Sequence, residues 1–377
     1  MHFIVSSSTL LKNLQMIAGI INTNSVLPIL ENFLFDISGN QLQITAADME
    51  TMIQAHMDIQ VSDPSNEGVK ICIPASLIIN YLKNLPEQPI NFIVNKDDFT
   101  FEMSSSTGKY KIGGENGNEY PKWPIMSEQV QQFEMPSITL IEAINRTLFA
   151  TSTDNLRPAM TGVYFEFEAN GLTFVSTDAH RMVKLTRSDI SCPEEGGIII
   201  PKRPLAQLRT MLPADETPLK VSFNESHLYI ESTTINLNCR LIDGKFPPYK
   251  AVIPQDNPYH LIVDRSELIS CLKRVSVFAN KSTNQVLFDI IGNSLSITAQ
   301  DVDFSYEGKE TINVQYSGED MKIAFNAKLL IEMMSNLEGE EVKLELSLPS
   351  KAGIFRSNDV VENEDLLMLL MPLMVGV

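Results

Sequence analysis

Short runs in which apolar and polar residues alternate recur along the chain; Leu42-Gln43-Ile44-Thr45, entered through Gly39-Asn40, is typical. A period of two places every second side chain on one face, so these runs predict half-buried strands. Between them lie segments with apolar residues at helical spacing: Leu10, Leu11, Leu14 and Ile17; Leu140, Ile141 and Ile144; Leu268, Ile269 and Leu272. Ser8 and Ser137 are placed as helix N-caps, and Asp264 with Glu267 has the spacing of a capping box. Further helices are predicted from Ala75 to Leu85, Lys202 to Leu212 and Ala327 to Leu337, each followed by more alternating segments.

The pattern is written three times. Residues 40–49 read NQLQITAADM, residues 170–179 read NGLTFVSTDA and residues 293–302 read NSLSITAQDV. Each follows an apolar run that ends in an acid at Asp36, Glu166 or Asp289. Tyr120-Pro121, Phe246-Pro247 and Met371-Pro372 are read as closing the three copies. The offsets of 130 and 123 residues are the size of a domain and far exceed a solenoid repeat. The expected fold class is therefore α+β: three tandem copies of a two-helix, antiparallel-sheet domain over residues 1–127, 128–255 and 256–377. Polar, proline-containing linkers are expected near residues 124–132 and 254–260.

A net charge of −18 argues against a nucleic-acid partner only if it is evenly spread. It is not. The six predicted helices hold ten basic and four acidic residues, so they are net-basic within an acidic body. That distribution fits a molecule that presents one face to phosphate. Cys72, Cys192, Cys239 and Cys271 have neither CxxC nor metal-ligand spacing and read as reduced thiols. No metal or cofactor is expected. Residues 1–5 begin a strand rather than a leader, and the apolar tail from Leu366 is too short to span a bilayer. The expectation is a cytoplasmic protein with no membrane partner.

The order and spacing of several segments resemble the bacterial sliding clamp, the β subunit of the replicative DNA polymerase. They are Leu27-Pro28-Ile29-Leu30 with Asn32, Thr177-Asp178-Ala179-His180-Arg181-Met182, Leu241 to Tyr249, Tyr316-Ser317-Gly318 leading to Phe325-Asn326, and Met371-Pro372-Leu373. The resemblance covers the whole chain. It implies a DNA clamp fold in which two chains join head to tail in a ring, with sheets outside and twelve helices around a hole. Twelve helices spaced by about 9 Å give a ring whose opening is roughly 24 Å, wider than B-form DNA.

By position the resemblance assigns an apolar peptide pocket to Arg157, Met160, Thr177, Ala179, His180, Arg181, Met182, Pro247, Val252, Asn326, Leu370, Met371, Pro372 and Leu373. It assigns the DNA-facing role to Lys12, Lys83, Arg146, Lys202, Arg203, Arg209, Lys273, Arg274 and Lys328, and the dimer contact to Tyr110 and Ile112 against Val277 and Phe278. The implied partners are duplex DNA, a second copy of the chain, the polymerase α subunit, the clamp loader, and other polymerases and repair proteins. The chain departs from the family pattern at Asn24, where Arg is common, at Ala179 for Gly, at Leu329 for Tyr, and in a tail extended through Met374 to Val377. Two other classes compete with this reading. Asp178 and His180 sit close enough for hydrolase chemistry, but no His recurs in the other copies and no nucleophile elbow or paired carboxylates accompany them. A protein-binding scaffold that never encircles DNA is the other. The resemblance favours a non-enzymatic processivity factor.

Overall fold

A computed structural model describes residues 1–62, 68–125, 130–191 and 194–374; Cys192, the middle of the 124–132 linker and the tail residues Val375 to Val377 lie outside them. Among the described residues there are six α-helices: α1 Ser7–Ile17, α2 Ala75–Lys83, α3 Ser137–Thr147, α4 Lys202–Met211, α5 Arg265–Val275 and α6 Ala327–Ser335. Each leaves a strand without an intervening loop. This joint changes the expected capping. Ser8 and Ser137 are not N-caps. At the start of α1, α3 and α5 the N–H groups of Ser7, Ser137 and Arg265 donate to the carbonyls of Gln88, Thr217 and Glu340 at 2.8–2.9 Å. The Ser137 hydroxyl donates to the Pro213 carbonyl. Neighbouring loops thus satisfy groups that a helix start leaves open. Asp264 does cap α5, accepting from Glu267 N at 2.7 Å.

The chain forms two compact units, Met1–Ile141 with Arg203–Leu241 (the first unit) and Glu142–Lys202 with Ile242–Val377 (the second unit). In the first unit a five-stranded sheet runs Gln60–Val61, His2–Ser6, Pro89–Val94, Thr100–Ser104, Lys109–Gly113. Its nine-stranded sheet runs Glu115–Asn116, Val69–Pro74, Asn32–Ser38, Gln41–Ala47, Thr51–Asp58, Ile235–Arg240, His227–Glu231, Pro218–Phe223, Gln131–Pro136. In the second unit the nine strands are Gly196–Pro201, Gly162–Glu168, Gly171–Thr177, Arg181–Arg187, Glu364–Leu370, Gly353–Ser357, Glu341–Leu346, Tyr259–Asp264 and Gln315–Ser317. A four-stranded sheet of Tyr306–Asn313, Ser294–Asp301, Gln285–Ile291 and Met321–Asn326 completes it. Every recorded pairing is antiparallel, so the expected mixed α+β class holds.

Among the described residues each copy of the repeat contributes eight main strands. The fourth strand of one copy pairs with the eighth of the next: Thr51–Asp58 with Ile235–Arg240, and Arg181–Arg187 with Glu364–Leu370. Just beyond these ladders Arg240 N donates to Glu50 O at 2.8 Å and Met371 N to His180 O at 2.9 Å. Met371 therefore stands where Arg240 stands. The expected equivalence of Met371-Pro372 with Phe246-Pro247 is incorrect, because strand register rather than the shared proline fixes the alignment.

Packing follows the period of two. In Glu364–Leu370, Met368 and Leu370 turn toward the α5 and α6 residues Leu268, Leu272, Leu330 and Met333, whereas Leu367 and Leu369 join Met182, Phe246 and Tyr249 on the opposite face. Phe325 centres the helix-side core, meeting Phe288 and Phe355 edge-on at 5.6 and 5.8 Å. Burying each such ring stabilises the fold by about 1.5–3 kcal/mol. The face carrying Leu369 is the floor of the site.

Candidate functional site

The turn from Asp178 to Arg181 is built by its own polar atoms. Asp178 Oδ1 accepts from His180 N at 2.9 Å and Arg181 N at 3.0 Å, and its Oδ2 accepts from Arg181 Nε at 3.0 Å. Arg181, almost fully buried, also donates to Glu332 at 2.8 Å and to the Phe149 carbonyl at 2.8 Å, with its guanidinium 5.0 Å above the Phe149 ring. The Thr177 hydroxyl donates to Arg181 O at 2.6 Å and accepts from Ala179 N at 3.1 Å. Ala179 sits at φ 75°, a left-handed conformation in which its Cβ is strained. With its carboxylate occupied by the turn, Asp178 is not placed to orient His180 as a base. The pair belongs to the hairpin.

Beside this turn opens a cavity of about 310 Å³ whose lining includes Met160, Met182, Pro247, Val252, Leu369 and Met371, with Thr177, Ala179, His180 and Arg181 at its edge. Tyr249 closes one wall, its hydroxyl bonded to Glu166 while Tyr164 stacks on Phe246 at 4.8 Å. Burial and then Glu166 push the Tyr249 pKa up, so it stays a neutral donor. An apolar floor with few polar atoms at the rim suits a short hydrophobic peptide.

The structure revises four expected members and separates one more from the groove. Leu370 is fully buried in the helix-side core; its neighbour Leu369 lines the cavity because adjacent strand residues face opposite ways. Asn326 instead caps α6, accepting from Lys328 N at 3.0 Å and Leu329 N at 3.2 Å. Leu373 is tied to Ala324 through its N–H at 2.8 Å, and Pro372 is not part of the lining. Arg157 is also outside the lining, paired with Asp154 at 3.1 Å. Pro248, Tyr249, Ala251 and Leu369 were missed. The unbroken apolar run Leu366 to Leu370 held no alternation to tell Leu369 from Leu370; only the pairing in the folded strand does.

Three family models match in order: the N-terminal domain of the DNA polymerase III beta subunit over residues 1–124, its central domain over 134–248 and its C-terminal domain over 250–374. The chain belongs to the DNA polymerase III beta-subunit family. It is 25% identical over 376 residues to the beta sliding clamp of Pseudomonas putida, covering 99% of this chain and 100% of the relative. The beta sliding clamp of Proteus mirabilis is 28% identical over 349 residues, 92% of this chain and 93% of that one. Among solved structures, a sliding clamp of Pseudomonas aeruginosa bound to griselimycin superposes with a TM-score of 0.92 at 23% identity, and the Thermotoga maritima beta subunit with 0.89 at 24%, each over 100% of both chains.

The structure separates the helical cations expected to face DNA. Lys12, Lys83, Lys202, Arg209, Lys273 and Lys328 are exposed. Arg203 is half-exposed and bound to Asp48 at 2.9 Å and to the Ile20 carbonyl at 2.8 Å. Arg274 is held at both nitrogens by Glu310 at 2.6–2.8 Å. Arg146 corrects the expectation. It is 6% exposed and is neutralised by Glu364 and by Glu338 at 2.7 Å. Burial raises the Glu364 pKa, while Arg146 and Arg187 pull it back.

Of the expected sliding-clamp contact residues, Tyr110, Val277 and Phe278 are exposed. Tyr110 lies 4.6 Å from Tyr81 of α2, and the Phe278 ring covers Gly308. Ile112 is buried at 8% exposure because its side chain faces inward opposite Phe101. Burial pushes the thiols of Cys72 and Cys271 up to about 12, which leaves them unreactive. Among the described residues no group of His, Cys, Asp and Glu is arranged to hold a metal, and no helix is long and apolar enough to cross a membrane.

Proposed function

We propose that this chain is a non-enzymatic DNA-sliding clamp: a homodimeric ring that encircles duplex DNA and confers processivity on the replicative polymerase. The observation that carries the reading is a pair of unmatched strand edges. Two junctions within the chain join a fourth strand to an eighth. The remaining fourth strand, Tyr306–Asn313, and the remaining eighth strand, Lys109–Gly113, each end a sheet with one edge unpaired among the described residues. A second chain offers the complementary edge at both places, so head-to-tail closure repeats the same junction.

The register supports this closure. Carrying over Thr51 opposite Cys239 and Arg181 opposite Leu370 sets Tyr306 opposite the partner copy's inward-facing Ile112. Glu307 then meets Lys111, and Gly308, beneath Phe278, meets Tyr110. Lys309 falls opposite Lys109, which Glu102 already neutralises at 2.7 Å. The exposed helical cations hold phosphates without reading bases, which permits sliding. Polymerase α subunit, clamp loader and repair polymerases would dock apolar peptides in the groove beside Arg181.

Retention on DNA after loading tests the reading. The protein should stay on a nicked circular plasmid and run off the same plasmid once linearised. Equal retention on both would exclude topological binding. Glutamate at Lys202 and Arg209 should shorten polymerase tracts at physiological salt; these residues are cleaner probes than Arg203, which also holds Asp48.

A further inference from the structure

The third copy departs from the others at one turn. Ala47 pairs with Met52 and Thr177 with Met182, leaving four residues between; their counterparts Gln300 and Glu307 leave six. The longer hairpin projects Val302 at 84%, Phe304 at 66% and Tyr306 at 55% exposure, with the Phe304 and Tyr306 rings stacked at 5.7 Å. Its aspartate is altered too. Asp48 and Asp178 each accept from two turn N–H groups, whereas Asp301 is buried with Oδ1 unpartnered. Three neighbouring apolar side chains in water at a free sheet edge call for a cover.

A complementary change lies on the other free edge. At the two in-chain junctions the turn meets Arg240-Leu241 and Met371-Pro372. The matching residues after Ile112 are Gly113-Gly114, backbone without side chains, and a Cβ built on Gly113 meets nothing within 4 Å. Bulk has moved from the strand end to the hairpin. We propose that the Val302–Ser305 tip is an apolar latch that seats on the Gly113-Gly114 step of a second copy of this chain. The proposal rests on the ring closure above and adds that this junction, unlike the two within the chain, is sealed by the hairpin itself. Glu307 opposite Lys111 fixes the register in which the latch lands.

Sedimentation equilibrium of the full chain tests it, with circular dichroism confirming the fold of each variant. Val302→Ser with Phe304→Ser should raise the dimer dissociation constant by roughly tenfold or more. Gly113→Val should fill the seat and weaken the dimer comparably, while Ile291→Ser, another exposed apolar residue, should leave it unchanged. A dimeric wild type whose affinity is indifferent to the latch variants would overturn the latch alone. A wild type that stays monomeric at all concentrations would overturn the ring closure, and the latch with it.

Discussion

Two grooves of the same construction differ in what lines them. In the second unit the floor pairs Met182 with Leu369, and Met371 follows. In the first unit the same register pairs Met52 with Asn238, Arg240 follows, and Glu50, Lys122, Ser226 and His227 join the lining beside Met49, Pro121 and Pro124. Both cavities measure about 310 Å³. The repeat therefore makes a groove wherever a fourth strand meets an eighth, and side-chain chemistry decides whether an apolar peptide can use it. The anchors differ as well. Asp178 is held by Arg181, three residues on, while Asp48 is held by Arg203 from α4.

The anchors give the largest expected contrast. Arg181→Ala removes a buried cation from Asp178, the half-exposed Glu332 and the Phe149 carbonyl and should cost about 1.5–3 kcal/mol of stability. Arg203 is 42% exposed at its side chain, so solvent already screens its pair with Asp48. Arg203→Ala should cost no more than about 1 kcal/mol. Urea midpoints of the two variants decide the matter, and equal losses would show that the two anchors are equivalent.

Peptide affinity is the next contrast. Leu369→Ala and Met371→Ala should each weaken binding of a short peptide carrying Leu and Phe by about 1–3 kcal/mol, roughly 5- to 150-fold. Asn238→Ala and Arg240→Ala, their counterparts in the polar groove, should leave that affinity unchanged. Leu370→Ala should lower the melting temperature rather than the affinity, since Leu370 faces the helices. Anisotropy titration of a labelled peptide reads all five; a loss at Asn238 equal to that at Leu369 would place the peptide elsewhere.

Much of this comparison was legible in the sequence because repeats and alternation are local signals. The three matching segments marked the tandem copies, and Leu268, Ile269 and Leu272 marked the helix that is α5. Leu370 and Asn326 were misplaced because family position does not state which face a residue takes; strand register does. Arg146 was misplaced because its partners Glu338 and Glu364 lie 192 and 218 residues away. The first unit's groove went unnoticed because it forms only when Thr51–Asp58 pairs with Ile235–Arg240. Met371-Pro372 misled for the same reason: a short matching word outweighed a register that only the folded chain reveals.

The turns themselves give a smaller contrast with opposite signs. Ala179 has a positive φ, whereas Met49, at the same place in the first unit, does not. Ala179→Gly relieves a left-handed alanine and should stabilise the protein by up to about 1 kcal/mol. Met49→Gly gains nothing native and loosens the unfolded chain, so it should destabilise by about 0.5–1 kcal/mol. Thermal melts of the pair suffice, and shifts of the same sign would contradict the difference in turn geometry.

The smallest expected effect concerns His227 in the polar groove. Its Nδ1 lies 2.8 Å from Ser226 Oγ. Burial, and then the charge of Arg240, lower its pKa below 6.5. As pH falls below 6.5 the unfolded chain takes up this proton before the folded one does. The unfolded state then binds more protons, so unfolding free energy rises with pH through this window and the His227 contribution is complete above it. His56 of the same unit is lowered by burial as well, so wild-type behaviour alone does not isolate His227. Comparing wild type with His227→Asn at about pH 7.5 and pH 5.5 does isolate it. The variant should lose less stability on acidification, and parallel loss in both proteins would show that the groove leaves His227 as free to protonate as the unfolded chain does.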